Sequence, residues 1–470
     1  FVTNYQFWKD ESSSDLYQYN AKDTHNTLFA FLGLLRYIRR YKYSYALRNY
    51  AEEFANVWPA LSCDLEGVLI DPVEQARVRA IAVQERDAAQ QRLNTLIGQP
   101  INCNSPKQVL TLMKLFDPKL KKTGEKELQR SSETVPLVGR LMECIIKVRE
   151  KAKAISTYFD VELWQGRLFF HLDPGGTETT RFASKSSGYW CGTQIQNIPS
   201  YAKSMIVFEE GWIAGAVDKA QSEAYCTGYL AREPALKHAV NTSPDFHCHN
   251  ASMFFGIPFE KLFDASTGRK LNKAIRDVAK RVNHGANYNM GAAVLWATMG
   301  TAEVMESARL LNLPPNWTPY TICEYLLNTF DRTYPRVRGA FQKEVVKEVM
   351  ETGFLSLPTG HKRRTFLQPW SSKPDLNSAI ASLPQGLSVQ LVNKAFRRIF
   401  WQLQHGKYEG EFRLKMQVHD EVVFIALPAI FEYAIQLVMK LMIVPISIHG
   451  DTMKIPSSRA QGHRWSELKD

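Results

Sequence analysis

Residues 416–427, MQVHDEVVFIAL, set three ionisable side chains, His419, Asp420 and Glu421, between two apolar runs. Apolar stretches of this length with a short polar interruption predict a tight β-hairpin carrying the acids at its tip. About two hundred residues earlier, Asp218 stands where a second apolar run, WIAGAV at 212–217, gives out. Carboxylates brought together from strand ends repel one another unless cations neutralise them, and hard oxygen ligands suit Mg2+, with Mn2+ as a substitute. Two such ions can activate an attacking hydroxyl and stabilise a departing pyrophosphate in one in-line displacement. Aspartate is also a common turn residue, so these positions gain meaning only from the segment between them.

That segment is RDVAKRVNHGANYNMG, residues 276–291. On a helix, Arg276, Lys280, Asn283, His284, Asn287 and Tyr288 fall on one broad stripe. From Arg276 to Tyr288 the stripe runs about 18 Å at ~1.5 Å per residue, comparable with the reach of a nucleoside triphosphate from terminal phosphate to base. Cations lead and an aromatic follows, so Arg276 and Lys280 can grip phosphates while Tyr288 flanks a base or sugar. A charged stripe is otherwise a solvated helix face. Gly285 and Asn289 weaken the segment as an independent helix, so packing or function must compensate.

Together with DKAQSEAYCTGYLA at 218–231, these segments closely resemble the three polymerase motifs of the family A DNA polymerases, in the family's order and spacing. The resemblance implies an α+β, right-hand polymerase of phage or viral type, with a thumb, a palm built on an antiparallel sheet and helical fingers, preceded by a partial exonuclease domain. From the first motif it implies Asp218 as a metal ligand, with the Lys219 backbone carbonyl beside it. Gln221 comes near the triphosphate, and Glu223 is the steric gate against ribose. From the second it implies Arg276 and Lys280 on the phosphates, Lys280 also as proton donor to pyrophosphate, and His284 and Tyr288 at the nucleotide. From the third it implies Asp420 as the second metal ligand, Glu421 beside it and His419 near the primer end.

The resemblance extends through most of the chain. TTRFAS at 179–184 and QIQNIP at 194–199 are similar to the run before the first motif, which makes Arg181, Gln196 and Asn197 minor-groove and template-primer contacts. DFHCHNASMFFG at 245–256 resembles the start of the fingers and puts His247 on phosphate. Its His-Cys-His core is a poor zinc site, because adjacent residues cannot easily supply three tetrahedral ligands and no CxxC accompanies them. LPQG at 383–386 places Gln385 on the template, FDRTYPRV at 330–337 resembles a fingers segment, and residues 449–468 resemble the C-terminal strand and tail. The sequence also departs from the family. His284 replaces Phe or Tyr, Asn289 and Thr180 each replace Gly, Ala381 replaces Asn, and Asn377 replaces Arg. These changes leave the metal and phosphate chemistry intact and bear on sugar selection and template contacts.

A chain of 470 residues should divide into several subdomains, and 45% hydrophobic residues supply their cores. A formal charge of +11 favours a polyanionic partner, as a protein holding duplex phosphates requires. No apolar run is long enough to span a bilayer, and no basic amphipathic anchor is evident. Seven cysteines with scattered spacing point to a reduced compartment, cytoplasmic, or the host cytoplasm if the chain is phage-encoded.

The expected division is 1–62 as the C-terminal remnant of a 3′–5′ exonuclease domain, 63–160 thumb, 161–223 palm, 224–365 fingers and 366–470 palm again. LYQYNAKDTHNTL at 16–28 resembles the last exonuclease motif, with Tyr19 and Asp23 in its functional positions. The other exonuclease motifs are not present, so the chain as given is expected to lack proofreading unless an upstream segment or separate chain completes the site. No signal peptide is read at FVTNYQFWKD, and Phe1 suggests a fragment. The thumb opens with a long helical pattern at 65–97 behind Pro72 and returns through KVREKAKAISTYF at 147–159, placing Arg149 and Lys153 along the duplex. The expected partners are primer-template DNA, dNTPs and replisome proteins. A single-subunit RNA polymerase shares the acids and a basic helix, but Glu223 and QNIP argue against it. A catalytically silent DNA-binding protein would not need paired acids.

Overall fold

The structure is a computed structural model that describes residues 13–132, 136–186, 188, 191–365 and 371–468. Its centre is a four-stranded antiparallel sheet of β1 (Ile213–Lys219), β2 (Phe412–Val418), β3 (Glu421–Ala426) and β4 (Ser457–Gly462), in the order β2-β3-β1-β4. β2 and β3 are the hairpin expected from the alternating acids and apolar runs, and β1 is the strand that ends on Asp218. Both faces of β3 are covered, which is why VVFIA reads as a continuous apolar run rather than an alternating one. Gly215 on β1 pairs with Phe424 on β3, and a Cβ at 215 would lie 2.5 Å from Phe424 Cζ, so the ring packs only over glycine.

The ladder between β2 and β3 shifts by one residue between Leu414 and Met416, leaving Lys415 as the bulged residue. Its side chain is fully buried, with Nζ 2.8 Å from Glu209 Oε1 and 3.1 Å from Glu66 Oε2. Burial works against the Glu209 carboxylate, but Lys415 and Arg167 together hold it below the usual range. This ionic knot ties the sheet to the helix Val57–Glu66, which packs on β2 and on the strand Phe170–Asp173. A further strand, Val68–Ile70, falls in the range expected as thumb yet pairs with Arg167–Leu168 and Ile206–Val207 beside the central sheet.

Four helices between 72 and 154 form a lobe with its own core, which includes Leu93, Val109, Met113, Leu128, Leu141 and Ile145. A long helix, Pro72–Ile97, starts on an Asp71 cap whose side chain accepts from the N–H groups of Val73 and Glu74, and it stops at left-handed Gly98. The return helix Pro136–Ala154 packs along it. Arg149 corrects an expectation here. Its Nε donates to Cys103 O at 2.7 Å and its Nη2 reaches Thr123 Oγ1 at 3.3 Å, so the guanidinium fastens the loops of the lobe instead of standing out along a duplex. Lys153, one turn on, is exposed.

The N-terminal helix Ser13–Arg40 carries Tyr19 and Asp23 on a largely exposed rod. Residues 1–12, where the expected fragment begins, lie outside the described residues. The next helix, Ser44–Phe54, docks on the body through Glu52 to Arg397 at 2.6 Å and Asn49 to Lys362 O at 2.6 Å. Among the described residues no helix is long and apolar enough to cross a membrane. All seven cysteines are buried, and none is in a disulfide. Lys415→Ala is expected to cost about 3–5 kcal/mol, because it leaves two carboxylates facing one another without their buried ammonium. Urea unfolding of the variant measures this, and a loss under about 1 kcal/mol would show that the knot contributes little to stability.

Candidate functional site

At the head of the sheet, Asp218 on β1 lies directly across from Glu421 on β3, with Ser458 of β4 on its other side. Asp420 and His419 form the two-residue turn that precedes Glu421, and His419 takes a left-handed φ of 56°. Asp218 and Glu421 line a shallow cavity with Arg459 and Leu468, whereas Asp420 lines a different one that faces the helix α1 (Lys273–Asn287).

Helix α1 is the basic segment read from the sequence. It begins at an Asn272 cap that accepts from Ile275 N–H and ends at Asn287, with Tyr288 as the C-cap and Asn289 left-handed at φ 55°. The second cavity, about 230 Å³, gathers Asp420, Gln221, Glu223, His247, Lys280 and His284 around the buried amides of Asn283 and Asn287. Lys280 and His284 are exposed toward solvent. Arg276 is held back, its Nε 3.0 Å from both oxygens of Asp245. Burial opposes ionisation of Asp245, but the guanidinium and the Cys248 N–H keep its carboxyl below the usual range. Burial pulls His247 down to about 4, reinforced by the neighbouring Arg276 charge, so the ring is neutral at pH 7, and its Nδ1 has no hydrogen-bond partner among the described residues.

Glu223 is the hub of the cavity. It accepts from Arg181 Nη2 at 3.0 Å and from the Tyr288 hydroxyl, and His284 Nδ1 lies 3.9 Å away. The His284 and Tyr288 rings meet edge-on at 4.7 Å. Burial, then the Glu223 charge, pushes the Tyr288 phenol well above its usual range, while a hydrogen bond with Gln385 works the other way. Gln385 comes from the helix α2 (Lys373–Ile399), which also supplies Ser388, its hydroxyl 3.4 Å from Asp420 Oδ1 and 2.5 Å from Ser222 Oγ.

The structure therefore brings Gln221, Glu223, His247, Lys280, His284 and Asp420 together, and attaches Arg181, Tyr288 and Gln385 through Glu223 and Tyr288. Gln196 flanks the group, donating to Gln417 O at 3.2 Å on the hairpin, while the Asn197 amide turns to Gln194 Oε1 at 2.9 Å. His419 is pulled below its usual range by burial, helped by Arg181 and Lys203. Arg149, Lys153, Tyr19 and Asp23 lie on other elements. Reading by motif missed Asp245 and Ser388. Asp245 stands two residues before His247 at a helix cap, and Ser388 lies one turn beyond Gln385, so helical spacing could have found Ser388.

Among the described residues no group of three or more His, Cys, Asp or Glu side chains is gathered to hold a metal ion. The donor chemistry still suits a hard cation. Burial, with Glu223 close by, pushes the Asp420 carboxyl above its usual range against the pull of Arg181 and Lys219, a charge imbalance that a divalent ion would relieve. The Lys219 ammonium does not complete that neutralisation. Its Nζ is tied to Met442 O at 2.6 Å, and burial lowers its pKa to about 8.

The fold is that of a nucleic-acid polymerase. It is similar over 88% of this chain, and 70% of the other, to the POL domain of Pol1 from M. smegmatis in complex with DNA primer-template and dNTP, with a TM-score of 0.68 at 21% identity. The sequence profile of DNA polymerase family A matches residues 74–467, and the chain belongs to that family. Among curated relatives, it is 26% identical over 393 residues to the thermostable DNA polymerase I of Thermus aquaticus, covering 76% of this chain and 41% of the relative. It is 24% identical over 384 residues to DNA polymerase I of Geobacillus stearothermophilus, covering 77% of this chain and 39% of the relative. The chain thus spans about two fifths of the length of these relatives.

The His247 environment gives the protein a pH dependence of definite sign. Its folded pKa, about 4, lies below the ordinary 6.5, so between these values the unfolded chain binds a proton that the folded one does not. Stability from this group is full above about pH 6.5 and is lost as the pH falls toward 4. In denaturant titrations at pH 7 and pH 5, His247→Gln is expected to lose about 1–2 kcal/mol less than the unmodified protein. An equal loss in the two proteins would mean that His247 is protonated in the fold.

Proposed function

We propose that this chain carries out template-directed DNA synthesis, in which a primer 3′-hydroxyl attacks the α-phosphate of an incoming dNTP and pyrophosphate leaves. The observation that carries this reading is one cavity that holds Asp420 and Glu223 from the sheet side opposite Lys280, His247 and His284 from the helix side. A triphosphate laid along α1 meets Lys280 and neutral His247 at its phosphate end and His284 and Tyr288 at its sugar and base. Arg276 reaches phosphate by exchanging Asp245 for it.

Asp218, Asp420 and the Lys219 carbonyl are the groups proposed to hold two Mg2+ ions, for which Mn2+ could substitute, with Glu421 adjacent. Bound there, the ions would supply activation of the primer hydroxyl and neutralisation of the leaving oxygens. The protein's own part is positioning and charge. Lys280 offers its ammonium to the departing pyrophosphate as charge develops and can give it a proton. Glu223, anchored by Arg181 and Tyr288, sits as a rigid block where a 2′-hydroxyl would project. Ser388 steadies the Asp420 carboxylate.

In this reading the lobe at 72–154 is the thumb, the central sheet the palm, and the helices around α1 the fingers. Primer-template DNA is the macromolecular partner, held by phosphate contacts that carry no sequence information, as the charge of +11 favours. Lys153, Arg181, Gln196, Asn197, Gln385 and His419 are proposed to lie along it.

Primer extension with Mg2+, offering dNTPs and rNTPs separately, tests the proposal. Asp218→Ala and Asp420→Ala are each expected to lower extension by ~10²-fold or more while leaving primer-template binding largely intact, since phosphate contacts do not replace the lost ligand. Extension near the unmodified rate in either variant would remove the metal assignment. Glu223→Ala should raise use of rNTPs relative to dNTPs, and an unchanged ratio would show that the gate lies elsewhere.

A further inference from the structure

Asn289 and Asn377 lie 88 residues apart in the sequence, and the fold places them in contact. Asn289 Nδ2 donates to Asn377 Oδ1 at 3.0 Å, and Asn377 Nδ2 reaches back to Asn289 O at 3.4 Å. The contact uses the side-chain amide of both residues. Glycine at 289 has no amide to offer, and arginine at 377 has no acceptor to receive one. Asparagine tolerates the left-handed φ of 55° better than most residues other than glycine, so it places a hydrogen-bonding group where the backbone turns sharply.

The pair lies beside the candidate gate. Asn289 follows Tyr288, whose hydroxyl donates to Glu223. Asn377 lies on α2, which also carries Gln385, close to the Tyr288 hydroxyl. Tyr288 and Asn289 are therefore both fastened to α2. From the other side, buried Gln342 donates Nε2 to Ala286 O at 2.9 Å and Asn287 O at 3.1 Å, so the end of α1 is gripped between two neighbours. Any movement of this end away from α2 must open the asparagine pair.

We propose that Asn289 and Asn377 form a latch that fixes the turn after α1 and so sets Tyr288 against Glu223, making the pair a determinant of sugar selection. Both are positioning residues that act through Tyr288. With the latch closed, Tyr288 shares the Glu223 carboxylate with Arg181 and the block keeps one orientation. With it open, Tyr288 is held by Gln385 alone, and Glu223 is free to swing toward Arg181. The inference rests on the polymerase reading, which the unmodified protein tests in the same assay.

The experiment is a double-mutant cycle of Asn289→Gly, Asn377→Ala and the double variant, read by single-nucleotide incorporation of a dNTP and the matching rNTP. Each single variant is expected to reduce the dNTP preference about three- to tenfold, mainly through a higher KM for the dNTP, with the double variant no worse than either single. Asn377→Asp keeps the acceptor for Asn289 Nδ2 but loses the donor to Asn289 O, and should fall between. An unchanged preference in both singles, or losses that multiply in the double, would overturn the latch. Thermal unfolding of the four proteins reads the pair without reference to activity. Non-additive midpoints are expected, and additive ones overturn the latch even in a chain inactive on dNTPs.

Discussion

The register in which β3 lies on β1 is the constraint from which the site follows. With a side-chain period of two, a slip of one residue would take Glu421 away from Asp218 and turn every core side chain of β3 to the wrong face. The lock lies in the core, where the Phe424 ring fits over Gly215 and stacks with Phe412 at 4.9 Å and Phe431 at 6.1 Å. The bulge at Lys415 adjusts the hairpin to that lock, and its buried ammonium turns the adjustment into an attachment to Glu66 and Glu209. Acids at the strand ends thus stand where an aromatic stack several residues away puts them.

Electrostatics then dictate what may face the sheet. Asp420 and Glu223 sharing one partly buried cavity is unfavourable unless positive charge or donors surround them. Arg181, Tyr288, Lys219 and Ser388 supply part of the compensation from within the protein. The rest of the cavity wall comes from α1, whose Lys280 is exposed while Arg276 is spent on Asp245. A polyanion entering this space would bring negative charge to Lys280 and would compete with Asp245 for Arg276. Neutral His247 fits the same logic, because a third cation beside Arg276 and Lys280 would be repelled when no anion is present.

Much of this was legible in the sequence, for local reasons. Strand-length apolar runs broken by acids disclosed the hairpin and the end of β1, and cations at helical spacing disclosed α1 and the residues it brings to the cavity. Side-chain partners set by long-range packing were not legible. Arg149 read as a duplex contact because a basic helix gives no sign that one guanidinium turns inward to Cys103 and Thr123, residues 46 and 26 positions away. Val68–Ile70 read as part of the long helical pattern at 65–97, since a three-residue strand becomes a strand only through its neighbours at 167–168 and 206–207. The departures at 289 and 377 were visible one at a time, and 88 residues of chain hid their contact.

Backbone strain recurs where these groups are placed. Nine non-glycine residues among those described have positive φ, and four of them, Thr180, Gln221, Asn289 and His419, directly adjoin the cavity network. Thr180 precedes Arg181, His419 precedes Asp420, Asn289 follows Tyr288, and Gln221 opens the helix Ser222–Leu230 that carries Glu223. Such conformations cost of order 1 kcal/mol or more each and persist only where surrounding contacts over-determine them. Those contacts are present: Asn393 Nδ2 donates to Thr180 O at 3.0 Å, and Gln417 donates to His419 O. The N–H groups of Ala224 and Tyr225 bind Gln221 O, and Asn377 holds Asn289. Each sharp turn lets a short connection deliver a functional side chain out of a buried element, which a relaxed extended backbone could not do in one residue. The strained positions are therefore the places where the aromatic core, the sheet register and the polar cavity are reconciled, and at Asn289 the reconciliation depends on the side-chain pair with Asn377.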